Sequence, residues 1–202
     1  MAGDIGPAQS ENGGPDEAGK ANSNGGEQRL SQKAIIDDPP SPFVVEWLSR
    51  TGGGKALDIA MGRGRHAIVL ARSGFRTFGV DRQFDAVKHA IARADAQGLA
   101  VRGWCADLEQ IALPRDAFDL VVVTRYLQRD LFPAIRHVVK RGGVVLYETF
   151  TVQQRRLGFG PTSPDHLLEP NELAQRFDGF DVLFSEEVAS PEAVARLVAR
   201  RR

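Results

Sequence analysis

Short apolar runs alternate with amphipathic stretches along most of the chain, and this pattern predicts strands and helices in turn. Residues 118–123 are a β-branched run that suits a strand buried on both faces, whereas residues 84–97 carry apolar positions at helical spacing. Strands are predicted around residues 56–59, 76–80, 99–105, 118–123, 144–147 and 180–184. Helices are predicted at residues 67–72, 84–97, 131–139 and 171–177. This order predicts an α/β fold with a doubly wound, mostly parallel sheet and a ligand at the carboxyl ends of its strands.

The N-terminal region departs from this alternation. Residues 1–33 contain almost no large apolar side chains and are predicted to be a disordered tail, which leaves residues 34–202 as a single domain. Ser41 and Pro42 are predicted to be the N-cap and the first residue of a helix that precedes the first strand.

Three stretches in the C-terminal half carry a weaker pattern. Gly142-Gly143 is predicted to end the helix at residues 131–139. Residues 149–170 have no periodicity and are predicted to form a long loop at the ligand edge of the sheet. Residues 193–200 fit a helix or a strand equally well by their pattern alone.

Composition and charge narrow the class of protein. The 202 residues include 26 Lys and Arg against 26 Asp and Glu, so net charge gives no reason to expect a nucleic-acid or membrane partner. No apolar run approaches the length of a membrane span, and no secretory signal is visible at the N-terminus. Cys105 is the one cysteine, which fits a reducing compartment and predicts a cytoplasmic protein.

The clearest indication of a functional site is the stretch KALDIAMGRGRH, residues 55–66. Apolar residues around Asp58 predict a buried strand, and Gly62 and Gly64 follow where a tight turn should lead into a helix N-terminus. The next predicted strand ends in Asp81, near the spacing at which a βαβ unit places an acid beside a ribose. Asp107 follows the third strand, although it is also well placed to cap the turn that it begins. The pattern predicts a nucleoside-binding site.

Other cofactor classes fit the sequence poorly. The glycine turn lacks the third glycine of the GxGxxG fingerprint, and neither tyrosine has a lysine four residues later, so hydride transfer is not favoured. No His, Cys and carboxylate cluster has the spacing of metal ligands, so no metal is expected.

Taken in order, these motifs resemble those of class I S-adenosylmethionine-dependent methyltransferases. The resemblance rests on Asp58-x-Ala60-x-Gly62-x-Gly64, Asp81, Ala106-Asp107 and Phe118-Asp119, and it spans roughly residues 40–200. GRGRHA, ELAQRF and AVARLVARR are similar to the tellurite-resistance methyltransferase group within that superfamily. The resemblance implies a Rossmann-like, seven-stranded sheet in which residues 193–200 form a last, antiparallel strand.

The resemblance also implies roles for particular residues toward S-adenosylmethionine. Asp58 and the loop from Ala60 to Gly64 would hold the methionine end, and Asp81 would accept both ribose hydroxyls. The remaining contacts would be Asp107 and the Leu108 amide to adenine, with Thr124 and Arg125 beside the sulfonium. Ala60 replaces the family's first glycine, and alanine fits that turn if its φ is negative.

Methyl transfer requires the protein only to align the reacting atoms, exclude water and remove a proton. The candidate catalytic residues near the ligand edge are Tyr126, Glu148 and His166, each of which also has a purely structural interpretation. The chain is predicted to methylate a small molecule. It is also predicted to be a monomer or a homodimer. A cofactor-binding adaptor without catalysis and a nucleic-acid methyltransferase remain alternatives.

Overall fold

The computed structural model describes residues 39–202, so the predicted tail at residues 1–33 lies outside the described residues, and the domain boundary at residue 34 stays a prediction. The helices are α1 (Pro42–Leu48), α2 (Arg65–Arg72), α3 (Phe84–Asp95), α4 (Phe132–Val138) and α5 (Glu172–Gln175). The strands are β1 (Lys55–Ile59), β2 (Arg76–Asp81), β3 (Val101–Cys105), β4 (Phe118–Thr124), β5 (Val139–Phe150), β6 (Phe180–Val188) and β7 (Val194–Arg201). Short 3₁₀ turns lie at Arg129–Leu131, Val152–Leu157 and Pro164–His166.

The strands form one sheet in the order β3-β2-β1-β4-β5-β7-β6. The pairs from β3 to β5 are parallel, and β7 is antiparallel to both of its neighbours. The predicted doubly wound sheet with an antiparallel last strand is confirmed. Because the chain order reverses between β1 and β4, the crevice for a ligand opens at the carboxyl ends of these strands.

Side-chain alternation along the strands places apolar groups on both faces of the sheet. Val121 and Val123 of β4 pack with α4, whereas Leu120 and Val122 pack with α1 and α2. A strand buried on both faces needs apolar residues in succession, which explains why β4 reads as a continuous hydrophobic run.

One local prediction is wrong. The helix predicted at residues 131–139 ends at Val138, and Gly142-Gly143 lies inside β5 rather than after a helix. The β4–β5 register shifts between Phe118 and Leu120, so the strand carries a bulge that Gly142, with φ of 78°, can adopt without steric strain. The predicted helix start is confirmed, because Ser41 is the N-cap residue of α1 and Pro42 is its first residue, although the Ser41 side chain makes no capping hydrogen bond.

Within residues 39–202, no helix combines the length and apolar character that crossing a membrane would require.

Candidate functional site

The glycine-bearing loop after β1 is held close to the end of β2. Gly62 N–H donates to Asp81 Oδ2 at 2.8 Å, and Met61 N–H donates to the Val80 carbonyl at 3.0 Å. Gly62 and Gly64 have φ of 53° and 79°, which glycine adopts without steric cost. A Cβ on Gly64 would come within 2.7 Å of Ala90 Cβ, so this glycine also lets the loop pack against α3.

Ala60 adopts a left-handed conformation with φ of 55°, so the condition under which alanine would fit this turn without strain is not met. An L-residue with a Cβ is strained there by roughly 1–2 kcal/mol, because its Cβ approaches the following carbonyl. The turn from β1 into the loop imposes this conformation. A glycine at this position would adopt the same conformation without strain. Ala60 nonetheless lines a large cavity at this edge of the sheet.

Two carboxylates follow adjacent parallel strands at the same edge of the sheet. Asp81 is half-buried, and its Oδ2 and Oδ1 accept the N–H groups of Gly62 and Gln83 at 2.8 and 2.9 Å. Asp107 Oδ1 accepts Glu109 N–H at 3.0 Å, so it caps the turn that it begins. The Asp81 carbonyl accepts Ala106 N–H at 3.0 Å, which ties the two strand ends together.

Asp58 lies beneath the loop rather than in the cavity. The residue is buried, and its Oδ2 accepts Ala67 N–H at 2.9 Å in the first turn of α2. Burial raises the pKa of Asp58 to about 7, even though the Ala67 N–H and the charge of Arg65 favour the ionised form. In the structure this aspartate anchors α2 behind the glycine loop.

His66 connects three parts of the site from a buried position. Its Nε2 accepts Ser41 N–H at 3.0 Å, so Nδ1 carries the proton and donates to Thr124 Oγ1, also at 3.0 Å. Burial, followed by the charges of Arg65 and Arg125, lowers the pKa of His66 to about 3. The hydrogen bond from Ser41 N–H attaches the N-cap residue of α1 to the start of α2. His66 lies in the GRGRHA motif, but its role could not be read from the sequence because both partners are distant along the chain.

A cavity of about 860 Å³ opens at this edge of the sheet, within the range of small-molecule and cofactor sites. Of the residues predicted to bind the cofactor, five line it: Ala60, Asp81, Asp107, Leu108 and Arg125. The other four, which do not line it, are Asp58, Gly62, Gly64 and Thr124.

Two of the three candidate catalytic residues, Tyr126 and His166, line the same cavity. Tyr126 Oη donates to Gln128 Oε1 at 2.5 Å, and burial, together with the nearby Glu109 and Asp107 charges, raises the pKa of the phenol. This tyrosine is therefore a hydrogen-bond donor at neutral pH. His166 is exposed on the 3₁₀ turn Pro164–His166 at the cavity wall.

Glu148 lies elsewhere, in a second cavity of about 260 Å³. It is buried and pairs with Arg196 of the adjacent strand, the Nε and Oε2 atoms lying 2.6 Å apart. The same arginine also bonds Glu186 at 2.8 Å.

The cavity wall includes an ion-pair cluster that was not predicted from the sequence. Arg129 lines the cavity, bonds both Glu172 carboxylate oxygens at 2.8 Å and donates to the Leu167 carbonyl at 2.9 Å. Burial alone would raise the pKa of Glu172. Hydrogen bonds from Arg129, Glu169 N–H and Arg176 outweigh this effect and lower the pKa to about 2. The available signal was the spacing of Glu172 in α5 and Arg176 at its C-cap, since i and i+4 residues share a helix face.

Among residues 39–202, no group of three or more His, Cys, Asp and Glu side chains is arranged to hold a metal ion.

Comparison with known proteins places these features in a context. A family model described as a methyltransferase domain matches residues 56–143, which include the glycine loop, Asp81 and Asp107. No curated protein matches the chain. The family match and the fold support the resemblance to class I S-adenosylmethionine-dependent methyltransferases.

Several solved structures share the fold. An S-adenosylmethionine-dependent methyltransferase from Mesorhizobium loti has a TM-score of 0.62 and 21% identity, covering 78% of this chain and 98% of that chain. TehB from Haemophilus influenzae has a TM-score of 0.61 and 15% identity, covering 87% of this chain and 62% of that chain. The cyclase SpnF has a TM-score of 0.64 and 20% identity, with coverages of 92% and 84%. At such identities the likeness shows the fold, and nothing in it favours the tellurite-resistance group.

Proposed function

We propose that this chain binds S-adenosylmethionine in the large cavity and catalyses transfer of its methyl group to a small-molecule acceptor. The observation that carries the proposal is the pair of carboxylates, Asp81 and Asp107, which line one cavity beside the glycine-bearing loop. Two acids at neighbouring strand ends suit the hydroxyl and amino donors of an adenosyl group.

The residues present fit such a cofactor. Each Asp81 oxygen accepts one backbone N–H, and a carboxylate oxygen with two lone pairs can accept a further hydrogen bond from a ribose hydroxyl. Asp107 and the Leu108 amide would hold adenine, and the backbone from Ala60 to Gly64 would hold the methionine end. Thr124 ends β4 and the Arg125 backbone follows it, and the sulfonium would lie beside this strand end. Asp58 would act indirectly, through its hydrogen bond to the first turn of α2.

Bound S-adenosylmethionine supplies a methyl carbon that is already activated for in-line displacement. The chain's own contribution would be to orient the acceptor, exclude water and take up a proton where the acceptor carries one. Tyr126 Oη already donates its one proton to Gln128, so it would orient the acceptor by accepting a hydrogen bond, and His166 at the cavity wall would take up the proton. Glu148 is less suited to either role, because its carboxylate pairs with Arg196 in the second cavity.

The walls of the cavity favour a small acceptor over a polymer. Phe150 at the end of β5 lines it, as do Pro161 and His166 of the segment that follows, so the acceptor side is bounded by the domain itself. The balanced charge of the chain gives no general attraction for nucleic acid.

Calorimetric titration with S-adenosylmethionine tests the binding part of this proposal. We expect Asp81→Asn and Asp107→Asn each to weaken binding at least tenfold, because each removes a charged acceptor from the cavity. Asp181→Asn is the matched control, since Asp181 is exposed and pairs with Arg202 outside the cavity. Unchanged affinity in both cavity variants, with the fold intact, would contradict the proposal.

A second candidate function is binding of the cofactor without methyl transfer. The observation that favours it is the shared fold of SpnF, which is described as a cyclase, so the fold alone does not require methylation. Single-turnover incubation with methyl-labelled S-adenosylmethionine and a panel of small thiols, phenols and oxyanions separates the two functions. Tight binding with no labelled product from any acceptor would favour this second function.

A further inference from the structure

Arg125 occupies an unusual position at the end of the central strand β4. Its φ is 52°, a left-handed conformation that costs a residue with a Cβ on the order of 1 kcal/mol or more. Its N–H donates to the Glu148 carbonyl at 2.8 Å, which fixes the backbone against β5. The residue lines both the large cavity and the second cavity. A strained backbone therefore presents this guanidinium between the two cavities.

The second cavity is lined by arginines from three separate elements. Arg65 begins α2, Arg125 follows β4 and Arg196 lies in β7. Two carboxylates, Glu148 and Glu192, line it as well. Among the described residues, three arginines and two carboxylates therefore line the second cavity.

The two carboxylates differ in how firmly they are held. Glu148 is buried, its side chain only 9% exposed, and it lies 2.6 Å from the Nε of Arg196. Glu192 bonds Arg125 Nη2 at 3.0 and 3.1 Å, but the two side chains are 33% and 38% exposed. Exposed ion pairs are worth about 0–1 kcal/mol, so a ligand carboxylate can replace Glu192 at little cost.

The charge of Arg125 also limits what it can do in the proposed reaction. A guanidinium gains nothing from approaching a cationic sulfonium, so its side chain is better suited to an anion on the other reactant. An acceptor with an acidic group would place that anion on the guanidinium while its nucleophile faces the donor.

We propose that Arg125 selects a methyl acceptor that carries a carboxylate or similar oxyanion, which takes the place of Glu192 on the guanidinium. This inference rests on the proposed function and names the substrate class of the same site. The acceptor's acidic group lies toward the second cavity, and its methyl-accepting atom lies in the large cavity. Glu192 acts as an internal competitor that leaves when the acceptor enters.

Binding of matched acids and amides tests this assignment. The probes are 3-mercaptopropionate with 3-mercaptopropanamide, and 4-hydroxybenzoate with 4-hydroxybenzamide, each titrated into the full chain saturated with S-adenosylhomocysteine. We expect at least one acid to bind about tenfold more tightly than its amide. Glu192→Gln should tighten binding of that acid about threefold to tenfold and leave the amide unchanged, whereas Arg125→Gln should abolish the preference.

Glu46→Gln is the control for the change of charge, because Glu46 forms an exposed pair with Arg50 and lines neither cavity. Equal affinities of acid and amide, or no binding by either acid, would overturn the inference while leaving the proposed function standing if S-adenosylhomocysteine binds. A tenfold loss of S-adenosylhomocysteine affinity in Arg125→Gln would also overturn it, since the guanidinium would then hold the cofactor's own carboxylate. Failure of S-adenosylhomocysteine to bind the unaltered chain would instead contradict the proposed function.

Discussion

At the scale of single residues, His66 shows how one buried side chain can connect distant parts of a site. Its ring bonds the backbone before α1 through Ser41 and the end of β4 through Thr124. Both hydrogen bonds require a neutral ring with the proton on Nδ1, because Ser41 N–H can only donate. The histidine therefore connects the start of the described chain to the central strand in one protonation state.

This neutral state predicts a pH dependence of stability. The pKa of His66 is about 3 in the folded chain against 6.5 when unfolded, so between these values the unfolded state binds the extra proton. Stability is then fully present above pH 6.5 and falls as pH decreases, by up to about 1.4 kcal/mol per pH unit from this residue.

Urea unfolding of the unaltered chain and of His66→Gln between pH 7 and pH 5 measures this contribution. We expect the stability advantage of the unaltered chain to shrink by about 2 kcal/mol over that range. Asp58 has the opposite dependence, since its pKa is raised to about 7, but it is present in both proteins and cancels in the difference. Parallel pH profiles for the two proteins would show the prediction to be wrong.

The position of a residue could be predicted where it depended on neighbouring residues in the sequence. It could not be predicted where it depended on residues distant in the sequence. Asp81 and Asp107 could be placed at one sheet edge because each directly follows a predicted strand. The pairing of Arg125 with Glu192 joins residues far apart in the chain, so no local pattern indicates it.

At the scale of elements, the segment between β5 and α5 forms one wall of the large cavity. Arg129 donates to the Pro164 and Leu167 carbonyls at 3.4 and 2.9 Å and also bonds Glu172. A single guanidinium thus holds the turn at Pro164–His166 against the entry to α4.

Replacement of Arg129 should loosen this wall. Charged hydrogen bonds contribute about 1.5–3 kcal/mol, so Arg129→Gln should raise the opened population of the segment roughly tenfold or more. Limited trypsinolysis with mass spectrometry should show faster cleavage after the exposed residues Arg155 and Arg156. Cleavage after the exposed Lys88 in α3 serves as the internal reference.

Arg176→Gln is the matched control for this experiment. Arg176 also bonds Glu172, at 2.7 Å, but its side chain makes no hydrogen bond to the carbonyls of Pro164 or Leu167. Equal acceleration in both variants would mean that Glu172, rather than the contact of Arg129 with the loop, holds the segment.

How well an element could be predicted depended on whether burial constrained the residues on one face of the element or on both faces. Strand β4 was predicted correctly because it is buried on both faces. The C-terminal strand β7 was ambiguous by pattern alone, and only its position between β5 and β6 shows why it is extended. The bulge near Gly142 was misread because a glycine pair marks a helix end and a strand irregularity equally well.

At the scale of the whole molecule, the cavity exists only when the ends of several strands are brought together. Its lining comes from the loops after β1, β2, β3, β4 and β5. Ligand binding is therefore linked to folding of the described unit, because an unfolded chain lacks the cavity.

We expect S-adenosylhomocysteine at 100 times its dissociation constant to stabilise the chain by about 2.7 kcal/mol, which corresponds to a rise in Tm of roughly 5–10 °C. Differential scanning calorimetry over a ligand series measures the shift. Asp81→Asn should reduce it at the same ligand concentration, whereas Asp181→Asn should preserve it. A shift of equal size in both variants would argue against binding through Asp81.

The sequence by itself determined the order of elements, the glycine turn and the two acids that follow neighbouring strands. Those features arise from interactions between residues close along the chain, such as burial periodicity, turn conformation and strand termination. Only the tertiary structure decided that Asp58 lies buried behind the loop, that Glu148 faces a separate cavity and that Arg125 stands between the two cavities. These outcomes depend on which distant side chain supplies each hydrogen bond or charge, and spacing in the sequence does not encode that choice.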